Sequence, residues 1–283
     1  MVTFNSIEHN YINKIRSYRI NYYDIAIHVF IMPQEKNTSL STIERAFKII
    51  ELIVELEGAG VTEVADHIDV PKSTAHSYLT TLHEVGYLVK EDQEYDAALQ
   101  FLTIGGSAAV RLPSYYLRSD KVNQLADITG ERVQFITEEH GHGVYICESK
   151  GENAVQTDVR IGKRVNLHTT AAGKAILAHL DEAELDHIIT NHHLNKETER
   201  TITDEAKLRE CLASIRDRGY AFNNGERIQG QRAVGAAIVD DETVLGAISI
   251  SGPMHRVRRD LIEEEISNEL LAAVNELNLN MRF

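Results

Sequence analysis

The stretch "HIDVPKSTAHSYLTTLHEVGYL" constrains this chain more than any other, because it fixes where one helix must begin and end. Pro71 has no N–H to give and cannot sit inside a helix, yet it suits a first helical position, where that N–H would go unpaired anyway. Gly86 supplies the stop. Between them Ala75, Leu79 and Leu82 recur at helical spacing and form one buried stripe. Lys72, Ser73 and Thr74 therefore fall in the first turn, where free amides and the positive end of the helix dipole favour phosphate. His76, Ser77 and Thr80 fall off the stripe and can reach a groove. DNA is the leading candidate for what this face meets. A Ser/Thr-rich start that only caps itself is the bland counterpart.

The flanking sequence supplies partners for that helix. "STIE" at Ser41 reads as a capping box. Ala46, Ile49, Ile50, Ile53 and Leu56 continue it as an amphipathic helix, which Gly58 and Gly60 stop. Thr62 is expected to cap a short second helix holding Val64, Ala65 and Ile68. After Gly86, "YLVKEDQEYDAAL" gives two extended pieces around an acidic turn, the pattern of a hairpin. Three helices followed by a hairpin make a winged helix-turn-helix.

Charge argues the other way. The chain carries a formal net charge of −14, and residues 36–105 hold five basic residues against twelve acidic ones. Lys and Arg supply most non-specific affinity for nucleic acid, so DNA contact must rest on a few cations, and Arg45, Lys72 and Lys90 are the candidates. A salt-rich cytoplasm is one setting that favours such an acidic surface. No apolar run approaches the ~18 residues of a membrane span, and no secretion signal is read at the start. Cys147 and Cys211 match neither a metal spacing nor a disulfide framework, which points to a reducing cytoplasm.

At 283 residues two domains are expected. Residues 1–37 read as a loosely held tail, or as residues upstream of a true start with Met32 the alternative initiator. Residues 38–104 read as the winged helix, 105–118 as a linker beyond Gly105 and Gly106, and 119–283 as a second domain. In that domain a helix runs to Gly130 with Val122, Leu125 and Ile128 inward, and "RVQFITEEHGHGVYICES" is a hairpin. Extended pieces near 154–159 and 164–168 lead into "TTAAGKAILAHL". Helices from about 181 and 204, strands near 220–223, 233–239 and 244–251, and a final helix with Leu261, Ile262, Ile266, Leu270 and Ala273 complete it. The fold class is α+β in two domains, the second an α/β unit with an antiparallel sheet.

Five motifs in order, "DVPKSTAHSYLTTLHEVGYL", "LHTTAAGKAILAHL", "TERTITD", "IRDRGYAFNNGE" and "VLGAISISGP", resemble IclR-type transcriptional regulators over about Leu40 to Met281. The resemblance implies a winged helix-turn-helix, a linker helix and an effector-binding domain similar to GAF sensors. It further implies dimers, often paired into tetramers, on pseudo-palindromic double-stranded operators. Ser77 stands where that family usually has Arg, which weakens backbone contact or shifts it onto Arg45, Lys72 and Lys90.

Within the second domain, Ala171, Ala172 and Gly173 place tiny residues at a helix start, where bare amides can approach a carboxylate. Ser249 and Ser251 share one face of a strand, and Ile248 and Ile250 the other. Close packing and edge decoration are the bland readings of both. The resemblance sets the effector pocket at Ala171, Ala172, Asn223, Ala233, Ser249 and Ser251, with Asn223 where relatives often have Asp and Ala233 where some have Cys. A small organic acid is the expected effector. His168 beside this motif reads as structural, and His140, His142, His192 and His193 as loop residues. No metal or other cofactor is expected. No phosphate-cradling glycine loop or nucleophile elbow suggests an enzyme. The competing reading is a GAF-like sensor whose winged helix docks protein.

Overall fold

Three apolar stripes meet in the first half of the chain. In the computed structural model, which describes residues 40–112, 115–241, 243–258, 260 and 265–281, the first helix, α1, spans Ser41–Leu56. It buries Ile49, Leu52 and Ile53 against Val64 and Ala65 of α2 (Val61–His67) and Ala75, Leu79 and Leu82 of α3 (Lys72–Glu84). Leu88 of β2 (Leu88–Glu91) and Tyr95 of β3 (Glu94–Ala97) close this core. Those strands pair antiparallel, and Ala59–Gly60 (β1) adds to the outer edge of β3. Gly86 adopts φ +85°, the left-handed conformation that lets the chain turn from α3 into the wing.

Two helix starts differ from expectation by a residue or two. Thr62 does not cap α2: Gly60 holds that position without a side-chain bond. Pro71 lies just ahead of α3, and its carbonyl accepts from the amides of Thr74 and Ala75 at 2.9 and 3.1 Å. The helix thus starts as the proline dictates, with Lys72 as its first residue.

The expected linker is mostly helical. Helix α4 (Gln100–Val110) runs straight through Gly105 and Gly106, neither of which takes a positive φ, and α5 begins at Tyr115. Two glycines in a helix cost stability without ending it. None of the side chains of α4 is buried. Residues 1–37, Pro113, Leu261 and Ile262 lie outside the described residues.

Beyond α5 (Tyr115–Thr129), six strands form one antiparallel sheet in the order β6-β5-β4-β9-β8-β7. The strands are β4 (Arg132–Glu139), β5 (His142–Lys150), β6 (Arg164–Asn166), β7 (Ala221–Asn224), β8 (Gln231–Asp240) and β9 (Thr243–Pro253). One face carries Val133, Phe135, Val234, Ala236, Ile248 and Ile250 onto α5 and α9 (Ser267–Met281). Val122 and Leu125 of α5 join that core, but Ile128 is 64% exposed and Ala126 takes its place. The helix follows an i, i+3, i+4 stripe here, and a strict three-residue step drifts off it.

The other face receives α6 (Ala171–Leu177), α7 (Glu182–His192) and α8 (Glu205–Arg218). Asp181 and Asp204 cap α7 and α8, accepting from Glu184 and Lys207 amides at 2.8 and 2.9 Å, and Gly219 ends α8 in the left-handed region. Residues 154–159 are not the expected strand. That segment, with Asn153 just before it, is irregular and is tied down by side chains: Arg256 donates to the Asn153 carbonyl, Arg132 to the Val155 carbonyl, and Arg227 to the Asp158 carboxylate. Among the described residues no helix is long and apolar enough to cross a membrane.

Candidate functional site

Helix α3 divides its predicted DNA residues into two stripes. With Ala75, Leu79 and Leu82 buried, Lys72, His76 and Thr80 follow one another at four-residue steps along one side. Lys72 and His76 are exposed, Thr80 is half-buried, and the Thr80 hydroxyl lies 3.5 Å from His76 Nδ1. Ser73, Thr74 and Ser77 form the second stripe and line an open groove of ≈ 530 Å³ together with Thr42, Ile43 and Ala46 of α1. Ser77 is exposed, and its hydroxyl donates back to the Ser73 carbonyl at 3.0 Å. Arg45 on α1 and Lys90 on β2 are also exposed, and the Lys90 ammonium sits 5.2 Å from the centre of the Tyr95 ring. Among the described residues Arg45, Lys72 and Lys90 form no ion pair, so their charges are not spent within the fold.

In the second half the strand register brings together residues that are distant in sequence. Asn223 pairs with Ala233, Ala233 with Ser251, and Ser251 with Arg132, giving one row across the sheet. Ala221, Gly235, Ser249, Gln134 and Glu148 form the row beside it. All of these share the face that α6 covers, so Asn223, Ala233, Ser249 and Ser251 do converge. Ser249 and Ser251 are buried and both donate to the Gln134 amide oxygen, at 3.2 and 3.4 Å. Gln134 and Arg132 were not anticipated from the sequence. A polar residue alternating with Val133 and Phe135 is the signal that could have found them.

Two expected site features have a structural duty as well. Asn223 donates to the Thr169 carbonyl and accepts from the amides of Gly225 and Glu226, both at 3.1 Å, so its amide group holds the turn after β7. Ala171 and Ala172 press directly on β8: a Cβ at Gly235 would lie 2.7 Å from Ala171 C and Ala172 N. The tiny residues are thus required by helix–sheet packing, whatever else they do. Thr170 caps α6 by accepting from the Gly173 amide at 2.9 Å.

The histidines sort by burial. His168 is buried, and its Nε2–H donates to the Asn195 carbonyl at 3.0 Å, a structural role. His142 opens β5 and His192 closes α7, so neither is the loop residue expected, and their rings meet edge to face at 4.6 Å. Burial holds all three imidazoles below the ordinary histidine range, and His142 adds to the effect on His192. Stability from these groups is therefore present above pH ~6.5 and is lost as pH falls below it, when the unfolded chain takes up protons first. Melting temperature should drop on going from pH 7.5 to 5.5, and His192→Gln should flatten that drop. A pH profile unchanged by the substitution would show that this contact does not set acid stability. Among the described residues no group of three or more His, Cys, Asp or Glu side chains is placed to hold a metal ion.

This arrangement has counterparts in known proteins. A model of the IclR helix-turn-helix domain matches residues 42–92, and one of the bacterial transcriptional regulator IclR C-terminal domain matches 117–279. A probable HTH-type transcriptional regulator, ArcR of Halobacterium salinarum, is 32% identical over 86% of this chain and 94% of its own. The crystal structure of Thermotoga maritima IclR superposes with a TM-score of 0.73 at 31% identity, covering 87% of this chain and all (100%) of that one. An IclR homologue from Microbacterium hydrocarbonoxydans, crystallised with 4-hydroxybenzoate, shares the fold with a TM-score of 0.71 at 20% identity over 85% of this chain and 99% of that one. With its helix-turn-helix and its sheet domain each matched by the family's own model, this chain belongs to the IclR family, whose members are helix-turn-helix transcriptional regulators and not enzymes.

Proposed function

We propose that the protein binds a double-stranded operator through α3 and acts as a repressor or dual regulator of a catabolic operon, in the cytoplasm, as a dimer or a pair of dimers. The observation that carries this reading is the Lys72–His76–Thr80 stripe, exposed at Lys72 and His76 and half-buried at Thr80, on a helix that buries Ala75, Leu79 and Leu82 on its other side. Lys72, Ser73 and Thr74 stand at the helix start, where amides and dipole favour phosphate, and His76, Ser77 and Thr80 stand where base edges would lie. Arg45 and Lys90 extend the contact to the flanking backbone.

Operator binding is modulated by a small carboxylate bound against the polar face of the sheet, at Ala171, Ala172, Asn223, Ala233, Ser249 and Ser251. Support comes from the convergence of these residues and from the acid held by the Microbacterium homologue of the same fold. An effector must bind the DNA-bound and free states unequally, since equal affinity shifts nothing.

Gel shift on the gene's own upstream DNA tests the first half of the reading. Lys72→Ala should weaken all sites alike and reduce the salt slope by about one unit, whereas His76→Ala or Thr80→Ala should change sequence preference. Affinity and slope both unchanged at matched salt would place the contact elsewhere. Binding with no sequence preference at all would favour a winged helix that docks protein.

A further inference from the structure

The face that carries Ser249 and Ser251 also holds a buried cation. Arg132 opens β4 opposite Ser251, and its side chain is 2% exposed. Nη1 pairs with the Glu148 carboxylate on the neighbouring strand, and Nη2 donates to the Val155 carbonyl at 2.7 Å. The Nε–H is buried with no partner. A buried donor left unpaired is rare and costly, most of all on a charged group. The Nε–H and one Nη–H of a guanidinium form a fork that fits the two oxygens of a carboxylate. In Arg132 half of that fork is already free.

The surroundings narrow the ligand. Glu148 also lies 3.6 Å from the Lys150 ammonium, so the three side chains leave a surplus of one positive charge. That surplus balances one carboxylate, and a second would stand uncompensated among buried groups. Gln134, Ser249 and Ser251, in the adjoining positions, are neutral donors and acceptors suited to a hydroxyl or keto oxygen.

Resting on the reading of this face as the effector site, we propose that Arg132 is its anion-recognising residue, taking the carboxylate of a small monoacid on the Nε–Nη2 edge while Gln134, Ser249 and Ser251 receive the acid's uncharged oxygen. The carboxylate competes with the Val155 carbonyl for Nη2. Specificity for charge thus comes from a strand side chain, and the start of α6 supplies the wall against which the ligand packs.

The test is calorimetric titration of the full chain with glycolate, lactate, benzoate and 4-hydroxybenzoate, each paired with its neutral amide. Wild type should bind at least one acid about tenfold or more tighter than its amide. The double variant Arg132→Gln/Glu148→Gln, which buries no unpaired charge, should lose that preference. Arg132→Lys, which keeps the charge but not the fork, should weaken the acid about tenfold, and Glu148→Gln alone should tighten it. If the double variant and Arg132→Lys keep the wild-type preference, the assignment to Arg132 is overturned and the effector site survives. If wild type binds the amides as well as the acids, or binds none of the acids, the carboxylate reading of the site falls with it.

Discussion

Replacing Lys174 by methionine is expected to destabilise the α/β half by about 3–5 kcal/mol. Lys174 lies on α6 with its side chain 1% exposed, and its ammonium bonds the Glu226 carboxylate and, at 2.8 Å, the Phe222 carbonyl. The pair itself need not be strongly stabilising, because desolvating two ions offsets much of their attraction. Removing one partner is different: Glu226, itself buried, is left as an unpaired carboxylate. The double variant Lys174→Met/Glu226→Gln should therefore recover most of the loss. Urea denaturation of the three proteins reads this directly. A double variant no more stable than Lys174→Met alone would mean that the ammonium matters for its bond to Phe222 and not for the carboxylate.

Gly173→Ala should cost about 2 kcal/mol, although helix propensity alone would favour alanine by about 1 kcal/mol. The added Cβ would sit 2.2 Å from the Leu167 carbonyl oxygen and 2.5 Å from its Cα. Those are backbone atoms of the turn that leads into α6, so no side-chain rotation relieves the clash, and overpacking outweighs propensity. Gly105→Ala provides the opposite sign. That residue lies in α4 with nothing within 4 Å of a new Cβ, so the substitution should stabilise by up to about 1 kcal/mol. Melting curves that move in the same direction for both would refute the steric argument.

Local signals carried much of the fold. Pro71, Gly86, the Ala75–Leu79–Leu82 stripe, the helix starts near 181 and 204, and the Ser249/Ile250 alternation each act over a few residues, and each reappears in the structure. What was not legible depends on residues far apart in the chain. Nothing beside Arg132 in the chain marks it as buried: the β4–β5 register sets Glu148 near it and the 151–160 segment lays Val155 across it. Residues 154–159 alternate like a strand but have no strand to pair with, and arginines from three other places satisfy the segment. Ile128 was misplaced because apolar spacing does not say which neighbours exist. Asn223, Ala233, Ser249 and Ser251 share one sheet face beneath Ala171 and Ala172, but the packing duties at Gly235 and Thr169 could not be separated from the proposed binding role by sequence alone.

Helix α4 makes the length of the connection between α3 and the six-stranded sheet depend on whether it stays helical. Its eleven residues span roughly 16 Å as a helix and would span roughly 36 Å extended. Phe101 rests on Tyr87 at 5.2 Å, which anchors the first turn to the wing, but no later residue is buried and two adjacent glycines sit at the middle. A helix so short and so little packed is marginal on its own. On the proposed dimer reading, the spacing between the two copies of α3 follows a local helix–coil balance, and temperature, salt or a single Gly105→Ala change would shift that spacing from a point remote from both α3 and the sheet.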